Sequence, residues 1–181
     1  MKALSGTRLT YSFISPCEHS GVSNADSFIK KLKNMGYAQA LEAAGAKVID
    51  TKYAGSYQGT WGSIVEYNGK KGLVTGAYGS CSYCDAFEAE FGWGIECSHN
   101  PETGKYYANG WDSDEDEITK EQYDKIINDY NQRLADFGKS YLHVIQDKWD
   151  VENQLANLSK DEDNWHDSEQ IELLSWAKDL L

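Results

Sequence analysis

Positive charge is what this chain lacks most. Its 17 lysines and arginines stand against 29 aspartates and glutamates, a net charge of -12 near neutral pH. Nucleic-acid affinity comes from neutralising phosphates, so direct binding to DNA or RNA is not expected. An anionic membrane would repel the chain for the same reason, whereas basic surfaces, including the nucleic-acid channels of other proteins, would attract it. Long apolar runs are missing too, and no stretch approaches the length of a membrane span. The first residues, Met1-Lys-Ala-Leu-Ser-Gly-Thr-Arg8, have a basic residue with no apolar region behind it, so a secretory signal is not expected and the cytosol is. Only two prolines occur, and no repeat or flexible linker divides the chain. Also missing are G-x-S-x-G, the P-loop, G-x-G-x-x-G and H-E-x-x-H, which removes the common local signatures of hydrolases, nucleotide enzymes and zinc proteases.

What is present suits a folded domain. Of 181 residues, 40% are hydrophobic and 13% aromatic, enough for a core and suggestive of strands. The expected class is α+β: a mainly antiparallel sheet with short N-terminal helices and a helical C-terminal third. One domain, 1–181, is expected, with a sheet-rich part over 1–111 and a helical part over 119–181. Thr7 to Ser15 alternates Leu9, Tyr11 and Phe13 with polar residues and reads as a strand ended by Pro16. Ser23 or Asn24 caps a helix bearing Phe28, Leu32 and Met35, and Tyr37 to Ala44 forms a second helical piece stopped by Gly45. Ala46 to Tyr53 reads as a strand.

The chain is organised around Gly55 to His99. Ile64 to Val74 predicts a hairpin, because Asn68-Gly69 tolerates the two positive φ angles of a type I′ turn. Its second strand runs into Cys81-Ser-Tyr-Cys84-Asp85, followed by a short helix from Ala86 to Phe91. Trp93 to Ser98 and Lys105 to Ala108 predict another hairpin. Thr119-Lys-Glu-Gln122 is a capping box. Beyond it, apolar residues from Tyr123 to Trp149 recur at three- and four-residue steps. That spacing predicts one long amphipathic helix, bent near Gly138 and continuing towards Leu158. A last helix, starting between Asp167 and Gln170, carries Ile171, Leu174, Ala177 and Leu181.

Several groups of residues have chemistry in reach. Four cysteines in a reducing compartment mean metal, redox chemistry or burial before structural disulfides. Cys81, Cys84, Cys97 and His99 spell C-x2-C-x12-C-x-H, a set of tetrahedral zinc ligand types, with Cys17-x-His19 a second source. Zinc is therefore the one cofactor to consider. The single residue between Cys97 and His99 is the weak point, and burial as small apolar side chains is the plain alternative. The same C-x-x-C at a helix start could act as a redox pair, but a thioredoxin-like site needs a βαβ context, not a hairpin. Asp85 and Glu88 share a helix face, as an acid–base pair would, whereas Glu90 does not. Trp61, Tyr78, Trp93, Tyr106, Tyr107 and Trp111 could line a sugar cleft, although strand aromatics are more often core. Asp112, Asp114, Glu115, Asp116 and Glu117 do not make a calcium loop, since Glu117 falls where such a loop needs glycine. These five are instead the expected partner-binding residues, with a second acidic cluster at Asp161 to Asp167.

The segment Gly76-Ala-Tyr-Gly-Ser-Cys-Ser-Tyr-Cys-Asp-Ala-Phe-Glu-Ala-Glu-Phe-Gly92 resembles a GSCS-x-CD-A segment of uncharacterised phage and mobile-element proteins. In size and acidity the whole chain also resembles the class of small anti-CRISPR inhibitors of Cas nucleases. The resemblance implies a non-enzymatic inhibitor in the host cytosol whose partner has a basic surface, such as the Cas9 nuclease. No residue role carries over from that class. A zinc-stabilised binding module and a small thiol-dependent enzyme are the other expectations.

Overall fold

The computed structural model describes residues 36–80, 85–92, 97–108, 116–158 and 165–181. The expected strand at Thr7, the Cys17 and His19 loop and the helix behind Ser23 lie outside these residues. In chain order the elements are α1 (residues 36–43), β1 (Lys47–Gly55), β2 (Gly59–Tyr67), β3 (Lys70–Tyr78) and α2 (Ala86–Phe91). Then follow β4 (Ser98–His99), β5 (Tyr106–Tyr107), β6 (Glu117–Ile118), α3 (Lys120–Leu142), α4 (Lys148–Leu158) and α5 (Trp165–Leu180). The class is α+β, with two antiparallel three-stranded sheets in the orders β1-β2-β3 and β4-β5-β6. Among the described residues no helix is long and apolar enough to cross a membrane.

The hairpin forms at the turn the sequence marks. Asn68 and Gly69 both have positive φ, 50° and 76°, as a type I′ turn requires. Its pairing is longer than Ile64 to Val74, running from Gly59↔Tyr78 to Tyr67↔Lys70. β1 adds to the other edge of β2, with a register shift that leaves Ile49 as an unpaired bulge. A bulge on an edge strand discourages further strand addition.

Side chains alternate across a strand, so the long sheet has two apolar faces. Trp61, Val65, Val74 and Tyr78 pack with Tyr37 and Leu41 of α1 and Leu142 of α3, flanked by Phe137 and Tyr141. Tyr37 stacks on Trp61 at 4.5 Å between ring centres, and Tyr141 meets Trp61 edge-on at 5.2 Å. On the opposite face Ile64 and Leu73 pack with Val151 of α4 and Leu174 and Ala177 of α5. β2 is thus covered on both sides, which is why Trp61 to Val65 carries no exposed residue. Its one buried hydroxyl, Ser63, hydrogen-bonds Thr51 across the strands at 2.8 Å.

The helices differ from expectation in one way that matters. The capping box is present: the Gln122 N–H donates to Thr119 Oγ1 (3.2 Å), and the Thr119 N–H donates to Gln122 Oε1 (2.9 Å). The expected bend at Gly138 is not the reason for that glycine. A Cβ there would lie 1.9 Å from the Ala40 carbonyl oxygen, so Gly138 lets α1 and α3 touch backbone to backbone. The single helix expected through Trp149 is two helices, because the chain leaves helical geometry after Leu142 to pair with β3. The Leu73 N–H donates to the Gln146 carbonyl (2.8 Å), and the Gln146 N–H donates back to the Leu73 carbonyl (2.9 Å). The second hairpin turns at residues 100–104, most of its expected first strand, residues 93–96, lies outside the described residues, and β6 is an unforeseen third member. α5 begins at Trp165, two residues before the earliest expected start.

Candidate functional site

Between β3 and α2 the C-x-x-C residues lie outside the described residues, and a buried carboxylate joins what lies on the two sides of them. Asp85 is only 6% exposed. Its Oδ1 accepts from the N–H groups of Phe87 (2.9 Å) and Glu88 (3.0 Å) and from the Tyr37 hydroxyl (3.0 Å), and its Oδ2 accepts from the Gly79 N–H (3.2 Å). An anion fits at this point because a helix start offers unpaired donors and the positive end of its dipole. The tyrosines around it are held in the neutral form. Burial first, and the Asp85 charge second, push the Tyr37 and Tyr53 hydroxyls well above the ordinary tyrosine range. Cys81 and Cys84 lie outside the described residues. Glu90 turns away from Asp85 towards α3, where the Arg133 guanidinium donates to its carboxylate (2.8 Å) and its carbonyl (2.6 Å). With Asp85 occupied by these four donors, its geometry is that of a cap.

His99 sits in β4 of the second sheet, with Cys97 two residues before it. The His99 ring stacks on its cross-strand partner Tyr106 at 4.6 Å, and Tyr106 leans on Tyr123 of α3 at 4.9 Å. Burial pushes the Cys97 thiol up, the reverse of what a reactive thiolate needs. Among the described residues no group of three or more histidine, cysteine or acidic side chains is arranged to hold a metal. Those residues include only Cys97 and His99 of the four-ligand set. Of the sugar-cleft aromatics, Trp61, Tyr78 and Tyr107 are buried in the core, Tyr106 is half-buried between His99 and Tyr123, and Trp93 and Trp111 lie outside the described residues.

Of the five expected partner-binding acids, Asp112, Asp114 and Glu115 lie outside the described residues. The Asp116 carbonyl accepts from the Ala108 N–H at 2.8 Å. Glu117, in β6, is paired with Lys105 at 2.7 Å, so part of its charge is matched within the chain. The larger imbalance lies further on. Residues 144–181 hold ten acids against three bases, seven of the twelve net negative charges. α3, by contrast, holds four of each, and several are joined, as in Lys120 with Asp124, Lys139 with Asp136 (2.9 Å) and Arg133 with Glu90. In the α4–α5 layer Asp147, Glu152, Glu172 and Asp179 are all exposed. Glu172 meets Lys52 at 3.0 Å, and Glu152 meets Lys178 only at 4.0 Å.

Trp149 is the residue that periodicity misassigns. Its spacing places it on the apolar stripe of a long helix, yet it is 68% exposed in the first turn of α4. The signal for this break was in the sequence. Asp147 and Asp150 cap α4 reciprocally, the N–H of each donating to the other's carboxylate (3.1 and 3.0 Å), which is the D-x-x-D form of a capping box. Comparison of the chain with protein-family models, curated proteins and solved structures found no match.

Proposed function

We propose that this protein acts by binding, without chemistry of its own, a protein partner that presents a basic nucleic-acid-binding surface, as a Cas nuclease such as Cas9 does. The observation that carries this reading is the uneven charge: seven of twelve net negative charges fall in the last 38 residues. Complementary charge speeds encounter and fixes orientation. An acidic layer on a packed scaffold also competes with phosphate for a basic groove. Asp112, Asp114, Glu115 and Asp116 remain candidates for the same contact, with Glu117 contributing less because Lys105 already holds it.

The experiment is direct. The purified chain is titrated into Cas9-catalysed DNA cleavage at low and high salt, and association is followed in parallel. Inhibition with salt-sensitive association is expected. Absence of both at low salt would refute the reading for this partner.

A zinc-stabilised module is the second reading, favoured by Cys97 just before β4 and His99 within it, two residues apart. Purified protein would then carry about one equivalent of zinc, and Cys84→Ser would lose it and lower the melting temperature. Metal-free protein of unchanged stability would leave the cysteines as packing.

A further inference from the structure

The corner between α3 and α4 combines three features that chain packing does not require together. The first is exposure. Trp149 is 68% exposed and Val144 is 53% exposed, and Trp149 makes no ring contact among the described residues. A tryptophan left in water forgoes a large burial gain, and one on a surface is the side chain most often found as a binding anchor.

The second is rigidity. Residues 145–147 are stapled to β3 by the two Leu73–Gln146 hydrogen bonds. Gly72 makes that approach possible, since a Cβ there would lie 2.4 Å from the Gln146 carbonyl oxygen. The reciprocal Asp147–Asp150 cap fixes the first turn of α4, and the Gln154 amide donates to the Gln146 side chain at 2.9 Å. A backbone pinned in this way presents its side chains with little ordering cost on binding.

The third is charge. From Val144 to Leu158 three acids, Asp147, Asp150 and Glu152, accompany a single base, Lys148. An exposed indole on a locally acidic segment suits a cation, which gains from the ring quadrupole and from the charge together.

We propose that this corner is the anchor of the partner-binding face, and that its occupant is a basic segment of a protein partner that lays an arginine or lysine side chain on the Trp149 indole. This rests on the binding reading above, but names the residue and the contact.

The test uses the full chain and two synthetic twelve-residue peptides, one alternating arginine with leucine and one alternating glutamate with leucine, at physiological salt. Indole N–H signals are followed by NMR, Trp149 being assigned as the signal missing from Trp149→Phe. The arginine peptide is expected to shift the Trp149 signal ahead of the other indoles, and the glutamate peptide to leave it in place. Affinity for the arginine peptide should fall about tenfold in Trp149→Ala, as for a truncated hot spot, and be largely kept in Trp149→Phe. If alanine frays α4, Trp149→Gln replaces it.

Equal affinity of the parent and Trp149→Ala would overturn the corner and leave the basic-partner reading standing. No binding by the parent would overturn both. Self-association of the parent that disappears in Trp149→Ala would make a second copy the occupant, and the basic segment would be wrong.

Discussion

The two faces of the long sheet are built from different materials. The α1/α3 face is aromatic: Tyr37, Trp61, Phe137 and Tyr141 form a network of stacked, tilted and edge-on rings, and Tyr78 meets Tyr53 edge-on. The α4/α5 face is mainly aliphatic: Ile64, Leu73, Val151, Leu174 and Ala177 fill it, with half-buried Trp176 packed against them, and residues 144–181 contain no tyrosine. The outer surfaces differ as well. α3 balances its charges along its own length, whereas residues 144–181 carry seven of the chain's twelve net negative charges. Packing is satisfied on both faces, so packing does not explain the difference in charge. A surface that accumulates like charge weakens the compact state by self-repulsion.

Mutations sort the two faces by size of effect. Trp61→Ala removes the centre of the aromatic network and should cost about 3–5 kcal/mol, while Leu174→Ala on the other face should cost about 2–5 kcal/mol. Denaturant unfolding followed by near-ultraviolet dichroism and by amide exchange checks both. Coincident transitions in each variant would mean that the faces unfold as one unit, and separate transitions would split them.

Asp85→Ala removes the acceptor shared by two α2 N–H groups, the Gly79 N–H and the Tyr37 hydroxyl, leaving Tyr37 its longer bond to the Ala77 carbonyl and Phe87 its longer bond to Tyr37, and a loss of about 1–3 kcal/mol is expected. A loss below about half a kcal/mol would mean that water replaces the carboxylate.

The smallest effect at neutral pH lies in pH dependence. Tyr37, Tyr53 and Tyr141 are all held above the ordinary tyrosine range, chiefly by burial. A group raised in the folded state contributes stability that is complete below its unfolded value, about 10 for tyrosine. That stability is lost as pH climbs from there through the raised folded value. Alkaline titration at the tyrosinate band should therefore show a late, cooperative step accompanied by opening of α1 and α3. Smooth ionisation near pH 10 by every tyrosine would contradict the buried aromatic face.

Much of this fold is legible in the chain itself. Asn68-Gly69, Thr119 to Gln122 and the alternation of the strands are local signals, and local geometry obeys them. Three features are not local. The end of α3 depends on Gln146 finding Leu73 in a strand far back in the sequence. Gly138 looks like a helix weakness until α1 is seen pressed against it. The pairing of Glu117 with Lys105 takes a small sheet whose third strand, β6, is two residues long. Of the candidate site, the surplus of acid was legible as a count. That Asp147, Glu152, Glu172 and Asp179 share the α4–α5 layer with an exposed Trp149 emerged only when the long helix was cut in two.

The central claim is that the acidic α4–α5 layer, and not net charge spread over the whole surface, meets the partner. It is tested most directly by association rates with Cas9 for two triple variants that remove the same number of charges. One is Glu152→Gln, Glu172→Gln, Asp179→Asn on the α4–α5 layer; the other is Glu121→Gln, Asp124→Asn, Asp129→Asn on α3. Related interfaces differ in association rate by one to three decades, so the first set should slow association about tenfold while the second leaves it near the parent value. Equal slowing by both sets, or greater slowing by the α3 set, would contradict the account.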